Sequence, residues 1–348
     1  MFIMNIIDFG VTSKGEEAIL IVINNKKGTE VAISNYGATI VSIFVNDKYG
    51  KAIDVVLGYD DVKGYEDGRS FFGACIGRNA NRIGDAQYSI SGKNYKLTEN
   101  DNGNNLHSGL DFYANRIWKT ESREDSSVTF ILKSPDKDQG FPGDADIKVT
   151  YSLSEENELK IAYHVVSDAD TIVNMTNHSY FNLDGHASGS ILKEKVMIDA
   201  NYYTRTDSKS IPTGELVDVT GTPMDFRTFK EIGQDINCDY ETLKNADGYD
   251  HNYVLNNNGQ LCKVAAIKSD VSGITMEIMT DMPGLQLYTG NFINHNAGKS
   301  GALYNAKDAV CFETQYFPDA PHHDNFLSSI LKAGEIYDKT TIYKFCIS

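Results

Sequence analysis

Positive charge is scarce in this chain. Lys and Arg number 32 against 48 Asp and Glu, a formal charge of −16. Nucleic acid and anionic membrane surfaces are therefore poor partners, because both are held by concentrated Lys/Arg. Cysteine motifs are missing too. Cys75, Cys238, Cys262, Cys311 and Cys346 are scattered, odd in number and form no CxxC pair. That pattern predicts free thiols in a reducing compartment and no zinc site. No apolar run approaches the length of a membrane span. The opening segment MFIMNIIDFG lacks the basic and long apolar regions of a secretory signal. A cytoplasmic location is the resulting expectation. There is no Pro/Ser-rich linker, no short-period repeat and no glycine loop of the nucleotide-binding kind. One domain over residues 1–348 is therefore expected, and a propeller is not.

Helical periodicity is also scarce. The best case is Thr228-Phe-Lys-Glu-Ile232, where Thr228 and Glu231 could form a capping box. Period-two alternation dominates instead. Ile147, Val149, Tyr151 and Leu153 share one face of a strand; Leu159, Ile161, Tyr163 and Val165 share one face of the next. The polar run Ser154–Glu158 between them reads as a hairpin turn. The same alternation sends His164 outward, into a solvated or structural role. Further strands are predicted over residues 18–23, 30–34, 39–45, 128–132, 171–176, 273–280, 285–289, 309–314 and 341–347, bounded by Gly, Asn and Asp clusters. Many short strands with little helix read as an all-β protein, a large antiparallel β-sandwich.

Five places could carry chemistry. Met175–Gly185 sets His178 among hydroxyl and amide side chains, with Asn177 and Tyr180 beside it. Such surroundings can set an imidazole's tautomer and pKa for acid–base work, although a satisfied core histidine has the same local signature. Gly77-Arg-Asn-Ala-Asn-Arg-Ile-Gly84 offers Asn81 and Arg82 as donors to hydroxyls or anions, or simply a surface charge cluster. His107 lies in the loop Asn102–Gly109. Asp250 precedes the strand-like Tyr253–Leu255, where a carboxylate could accept from two hydroxyls or close an Asx turn. In Cys311–Phe326, alternation gives Val310 and Phe312 one face and Cys311, Glu313 and Gln315 the other. Glu313 then projects from an otherwise apolar strand, which raises a carboxyl pKa and suits a base. His322-His323-Asp324 has no metal-ligand spacing, since adjacent side chains diverge in an extended chain.

Together these blocks resemble the aldose 1-epimerase (galactose mutarotase) family. The matching pieces run in family order: NYGATIVSI, GRNANRI, NGNNLHSG, TNHSYFNL, GYDHNYVL, GLQLYTGN and ETQYFPDAPHHDNF, from Asn35 to Phe326. The resemblance implies antiparallel sheets wrapped into a supersandwich with an open sugar cleft. It implies Glu313 as general base and His178 as general acid. It implies His107, Arg82, Asn81, Asp250, Gln286 and, less directly, Tyr180 as groups that hold the sugar. The activity it implies is interconversion of the α and β anomers of a free aldose such as galactose or glucose, by a monomer or homodimer, without metal or cofactor. A carboxylate beside the C1 hydroxyl and an imidazolium beside the ring oxygen would open the ring, allow C1–C2 rotation and close it again.

The chain departs from the family pattern at Asn79, Tyr316, Leu327 and Ala333; the first two bear on substrate preference. Two rivals use the same residues. A glycoside hydrolase would pair Asp250 with Glu313 across a glycosidic bond. A sugar-binding protein on the same scaffold would need no acid–base pair. A phosphorylated sugar would require more cations than Arg78 and Arg82.

Overall fold

A computed structural model describes residues 6–68 and 70–347; Met1–Asn5 of the opening segment lie outside it. Two antiparallel sheets make the sandwich. The larger has nine strands, in the order Lys119–Glu124, Ser127–Ser134, Ala145–Leu153, Glu158–Ser167, Ile336–Ile347, Ile274–Thr280, Cys262–Lys268, Lys195–Ile198 and Lys230–Glu231. The smaller has six: Tyr180–Phe181, Val310–Gln315, Gly284–Tyr288, Asp250–Leu255, Ala200–Thr206 and Pro212–Asp218. A five-stranded antiparallel sheet, from Ile6–Val11 to Ala52–Asp54, adds the amino-terminal part.

The alternation does what the sequence asks of it. Ile147 pairs with Val165, Val149 with Tyr163 and Tyr151 with Ile161, so the apolar members of both strands line one buried face. Ser154 closes the hairpin by donating its N–H to the Glu158 carbonyl. His164 points outward and meets Asp338 at 2.6 Å.

The inter-sheet contact that matters most involves Val310–Gln315. Phe312 turns inward, where the Tyr343 hydroxyl donates to its carbonyl at 3.1 Å and Phe181 packs on the Tyr343 ring at 4.9 Å. Thr314 meets Thr341 across the same gap. With the even-numbered side chains committed to the core, Cys311, Glu313 and Gln315 must face the other way.

Three expectations are revised. Residues 228–232 form no helix. Lys230–Glu231 instead completes the nine-stranded sheet against Lys195 and Val196, and Ile232–Gln234 is a single 3₁₀ turn. So short a segment cannot repay helix nucleation, while sheet pairing and burial of Ile232 are available. The strand expected over 171–176 is two pieces, Thr171–Ile172 on Ile330–Leu331 and Thr176–Asn177 on Cys75–Ile76. The last strand begins earlier than expected, at Ile336. Two short helices lacked a periodic signal, Val62–Asp67, capped by the Asp61 carboxylate, and Glu241–Ala246.

Candidate active site

The site grows from three neighbouring strands of the smaller sheet. Gln286 is paired with Glu313 in one direction and with Asn252 in the other, while Tyr288 lies between Asp250 and Cys311. Side chains at paired positions share a face, so Asp250, Gln286 and Glu313 are grouped by register alone. Tyr180 joins this edge by pairing with Cys311. His178 sits just before it, at the junction of two short strands. Its N–H donates to the Ala74 carbonyl and its own carbonyl accepts from Gly73 N–H. Asn177 braces the same bend: its amide donates to the Gly73 carbonyl, and its oxygen accepts from Ser179 N–H and Oγ.

These elements enclose a cavity of about 730 Å³. Asn81, Arg82, His107, His178, Tyr180, Asp250 and Glu313 all line it. Of the acid–base and sugar-holding residues implied by the resemblance, Gln286 alone is not on the wall. It stands one layer back, donating Nε2–H to Asp250 Oδ1 at 2.6 Å. Arg82 donates Nε–H to Asp101 Oδ2 at 2.7 Å and holds Nη1 at 3.9 Å from Asp250 Oδ2. The two arginines of GRNANRI separate completely. Arg78 is buried away from the cavity and donates to the carbonyls of Pro142, Gly143 and Ser134. Arg82 is thus the one arginine on the cavity wall among the described residues.

The histidines are distinguishable. Asn81 N–H donates to His107 Nδ1 at 3.1 Å, and His107 N–H returns a bond to the Asn81 carbonyl. A backbone N–H can only donate, so Nδ1 carries no proton and the neutral His107 ring must carry it on Nε2, toward the cavity. His178 is 5% exposed, stacked on Tyr180 at 5.0 Å and edge-on to His107 at 5.5 Å. Its Nε2 lies 3.5 Å from Glu313 Oε2. Glu313 is 2% exposed, and that oxygen has no hydrogen-bond partner. A buried orphan acceptor is costly, typically about 1–3 kcal/mol, and here it faces the cavity.

Burial dominates the electrostatics. It pushes the Glu313 carboxyl well above the usual range, with the like charge of Asp250 adding and Arg82 opposing. Burial also raises Asp250 against the pull of Arg82. It lowers His178 to about 4, against a smaller opposing pull from its own carbonyl. His107 is held well below its ordinary value by burial, His178 and Arg82. Burial thus favours a neutral imidazole beside a protonated carboxyl over the expected imidazolium–carboxylate pair.

Several wall residues gave no usable signal in the sequence. Phe71, next to the fully buried Phe72, is one of them. A φ of 53° at Phe71 turns its ring to the cavity, where it meets His107 at 5.1 Å and His178 at 6.1 Å. Asp101, which orients Arg82, adjoins the His107 loop, and that proximity was the available clue. Tyr288 and the exposed Phe292 also border the cavity. Asn79 and Tyr316 do not. Asn79 is buried on Ser108 and Ala80, and Tyr316 packs on Tyr337.

A metal would find three donors in one place among the described residues: His107, His178 and Glu313, with ligand atoms all within 4.8 Å of one another. His322 and His323 are both engaged by Asp319. Asp319 accepts from Gly84 N–H, and its own N–H donates to the Arg82 carbonyl, which buttresses the Arg82 strand.

Comparison with known proteins finds matches along nearly the whole chain. The family model described as aldose 1-epimerase fits residues 20–344. A galactose mutarotase from Bos taurus is 39% identical over 319 residues, 91% of each chain. Among solved structures, the GalM/aldose epimerase homologue from C. elegans superposes with a TM-score of 0.88 at 32% identity, over 94% of this chain and 98% of that one. Galactose 1-epimerase from Lactobacillus acidophilus NCFM gives 0.87 at 27% identity, covering both chains in full (100%).

Proposed function

The chain belongs to the aldose 1-epimerase family, and from that premise we propose how its residues carry the reaction. It is an aldose 1-epimerase, an isomerase that interconverts the α and β anomers of free aldoses. We take galactose and glucose as its substrates.

One observation carries the assignment of roles. The unpartnered Oε2 of Glu313 and Nε2 of His178 face each other at 3.5 Å on the cavity wall. A pyranose bound there offers two atoms that need opposite treatment: the C1 hydroxyl must lose a proton and the ring oxygen must gain one. The C1 O–H supplies the hydrogen bond that Oε2 lacks, which favours the carboxylate form. The proton on Glu313 then passes to His178 Nε2. Glu313 removes the C1 hydroxyl proton as His178 protonates the ring oxygen; the C1–O5 bond breaks and the aldehyde forms. Rotation about C1–C2 and the reverse transfers deliver the other anomer. Protons balance at every stage, so the pair is ready for the next sugar.

Arg82, Asn81, His107 and Asp250 hold the remaining hydroxyls, Tyr180 stacks behind His178, and Gln286 and Asp101 orient Asp250 and Arg82. The rival carboxylate pair lacks this logic, because Asp250 is already occupied by Gln286 and faces Arg82. The acid–base cycle needs no ion, so dialysis against EDTA is expected to leave the rate unchanged. The reading further assigns residues 1–348 to one aldose 1-epimerase domain, acting as a monomer or homodimer without a nucleic-acid partner. Five free cysteines support a reducing, cytoplasmic setting, and no described helix is long and apolar enough to cross a membrane.

The test is optical rotation of freshly dissolved α-galactose and α-glucose. Glu313→Gln and His178→Asn are each expected to slow anomer exchange by roughly 10²–10⁴-fold. Full turnover in either variant would defeat the assignment.

A further inference from the structure

We propose that Cys311 is a positioning residue: its sulfur accepts a hydrogen bond from His178 Nδ1–H, holding the ring in the tautomer whose bare Nε2 receives the proton of Glu313. The proposal rests on the acid–base reading above and deepens it.

The geometry begins with register. Cys311 is two residues before Glu313 on the same strand, so both side chains emerge on the His178 side. Cys311 Sγ lies 3.6 Å from His178 Nδ1, within the range of a sulfur hydrogen bond, while Nε2 at the far side of the ring faces Glu313. One strand thus contacts both nitrogens of the imidazole. Cys311 belongs to a buried apolar and aromatic cluster with Phe72, Tyr180 and Ala309. Stacking on Tyr180 at 5.0 Å and 19° fixes the plane of the ring but leaves its proton position open.

A thiol can donate or accept, so the contact alone does not choose a tautomer. The far end chooses. Glu313 Oε2 is buried, without a partner, and burial favours the protonated form of its carboxyl. An acid O–H directed at the ring needs a lone pair on Nε2; a proton there would set two hydrogens against each other. The single proton of a neutral imidazole must then sit on Nδ1, pointing at the sulfur. Burial, together with Glu313 and Asp250, keeps the thiol protonated, so Sγ is a neutral and weak acceptor.

That weakness has a use. A carboxylate at this position would stabilise the imidazolium and make it a reluctant acid. Sulfur secures the tautomer with little such stabilisation, so the ring gives its Nε2 proton readily to a poor base, the sugar ring oxygen. The proton travels from Oε2 to Nε2 to the ring oxygen, the C1 hydroxyl proton replaces it on Oε2, and Nδ1–H never leaves the sulfur.

The experiment combines ¹⁵N NMR of histidine-labelled protein with kinetics of Cys311→Ser and Cys311→Ala. The wild type is expected to show His178 neutral at pH 7 with its proton on Nδ1. Cys311→Ser keeps an acceptor, and is expected to retain that tautomer and most of kcat. Cys311→Ala is expected to lose the tautomer preference and to lower kcat roughly 10–100-fold, the size typical of removing an outer partner of a working histidine, with KM within about twofold. A merely structural role would lower the thermal midpoint without this split, and the serine variant would then fare no better than the alanine. A wild-type His178 proton on Nε2, or unchanged kcat in Cys311→Ala, overturns the proposal. Full activity in Glu313→Gln would instead overturn the reading on which it rests, and the two failures are read separately.

Discussion

At the scale of single residues, the site works by withholding water. Glu313 and His178 depart from their ordinary pKa values in opposite directions for one reason: burial penalises whichever form is charged. Both shifts favour a protonated Glu313 beside a neutral His178. A further proton would have to enter His178, whose pKa burial lowers to about 4. Since kcat/KM reports the free enzyme, its acid limb is expected near pH 4, with a plateau through neutrality; a limb near pH 6.5, the ordinary histidine value, would contradict this. Asp101 offers a second residue-scale test. Asp101→Asn weakens the hold on Arg82 Nε without touching the reacting pair. KM is expected to rise several-fold with kcat nearly unchanged, read by polarimetry over a range of sugar concentrations.

At the scale of elements, the Val310–Gln315 strand joins stability to function. Its even positions anchor the two sheets and its odd positions build the site. Phe312→Ala is expected to cost about 3–5 kcal/mol in urea denaturation by opening a cavity between the sheets. The surviving folded fraction should retain activity, because no wall residue is changed. This two-faced character was legible in the sequence, since alternation alone assigns Glu313 and Phe312 to opposite sides. What alternation cannot supply is the identity of the covering layer. It could not tell that Arg78 would be swallowed by carbonyls while Arg82, four residues on, reached the cavity. It could not place Gln286 behind Asp250, nor show that a positive φ would swing Phe71 away from Phe72. These outcomes depend on contacts between segments far apart in sequence. The short Thr228–Ile232 segment failed for the same reason: a local capping pattern lost to a sheet edge supplied by Lys195–Ile198.

At the scale of the whole molecule, the buried histidines tie the site to stability. His107, His178 and His251 are all held neutral by burial, His178 near 4 and His251 near 3. Each has a folded pKa below its unfolded value, so the unfolded chain binds more protons as pH falls. Their contribution is fully present above about pH 6.5 and is lost progressively as pH drops toward 4 and below. The thermal midpoint is expected to fall by several degrees over that window. Replacing the distal His164, half-buried and paired with Asp338 on the outer sheet face, should leave that dependence in place. The same scale accounts for which expectations from the sequence held. The all-β sandwich follows from periodicity repeated along the entire chain, whereas the upward shift of the Glu313 carboxyl follows from its burial in the folded protein.

The central claim is that Glu313 and His178 exchange protons with one sugar to open and reclose its ring. Its most direct test is the initial rate of rotation change for α-galactose with wild-type protein and with Glu313→Gln, checked to be folded by circular dichroism. The account requires fast conversion by the first and a rate close to the spontaneous one for the second. Equal rates from the two proteins would contradict it.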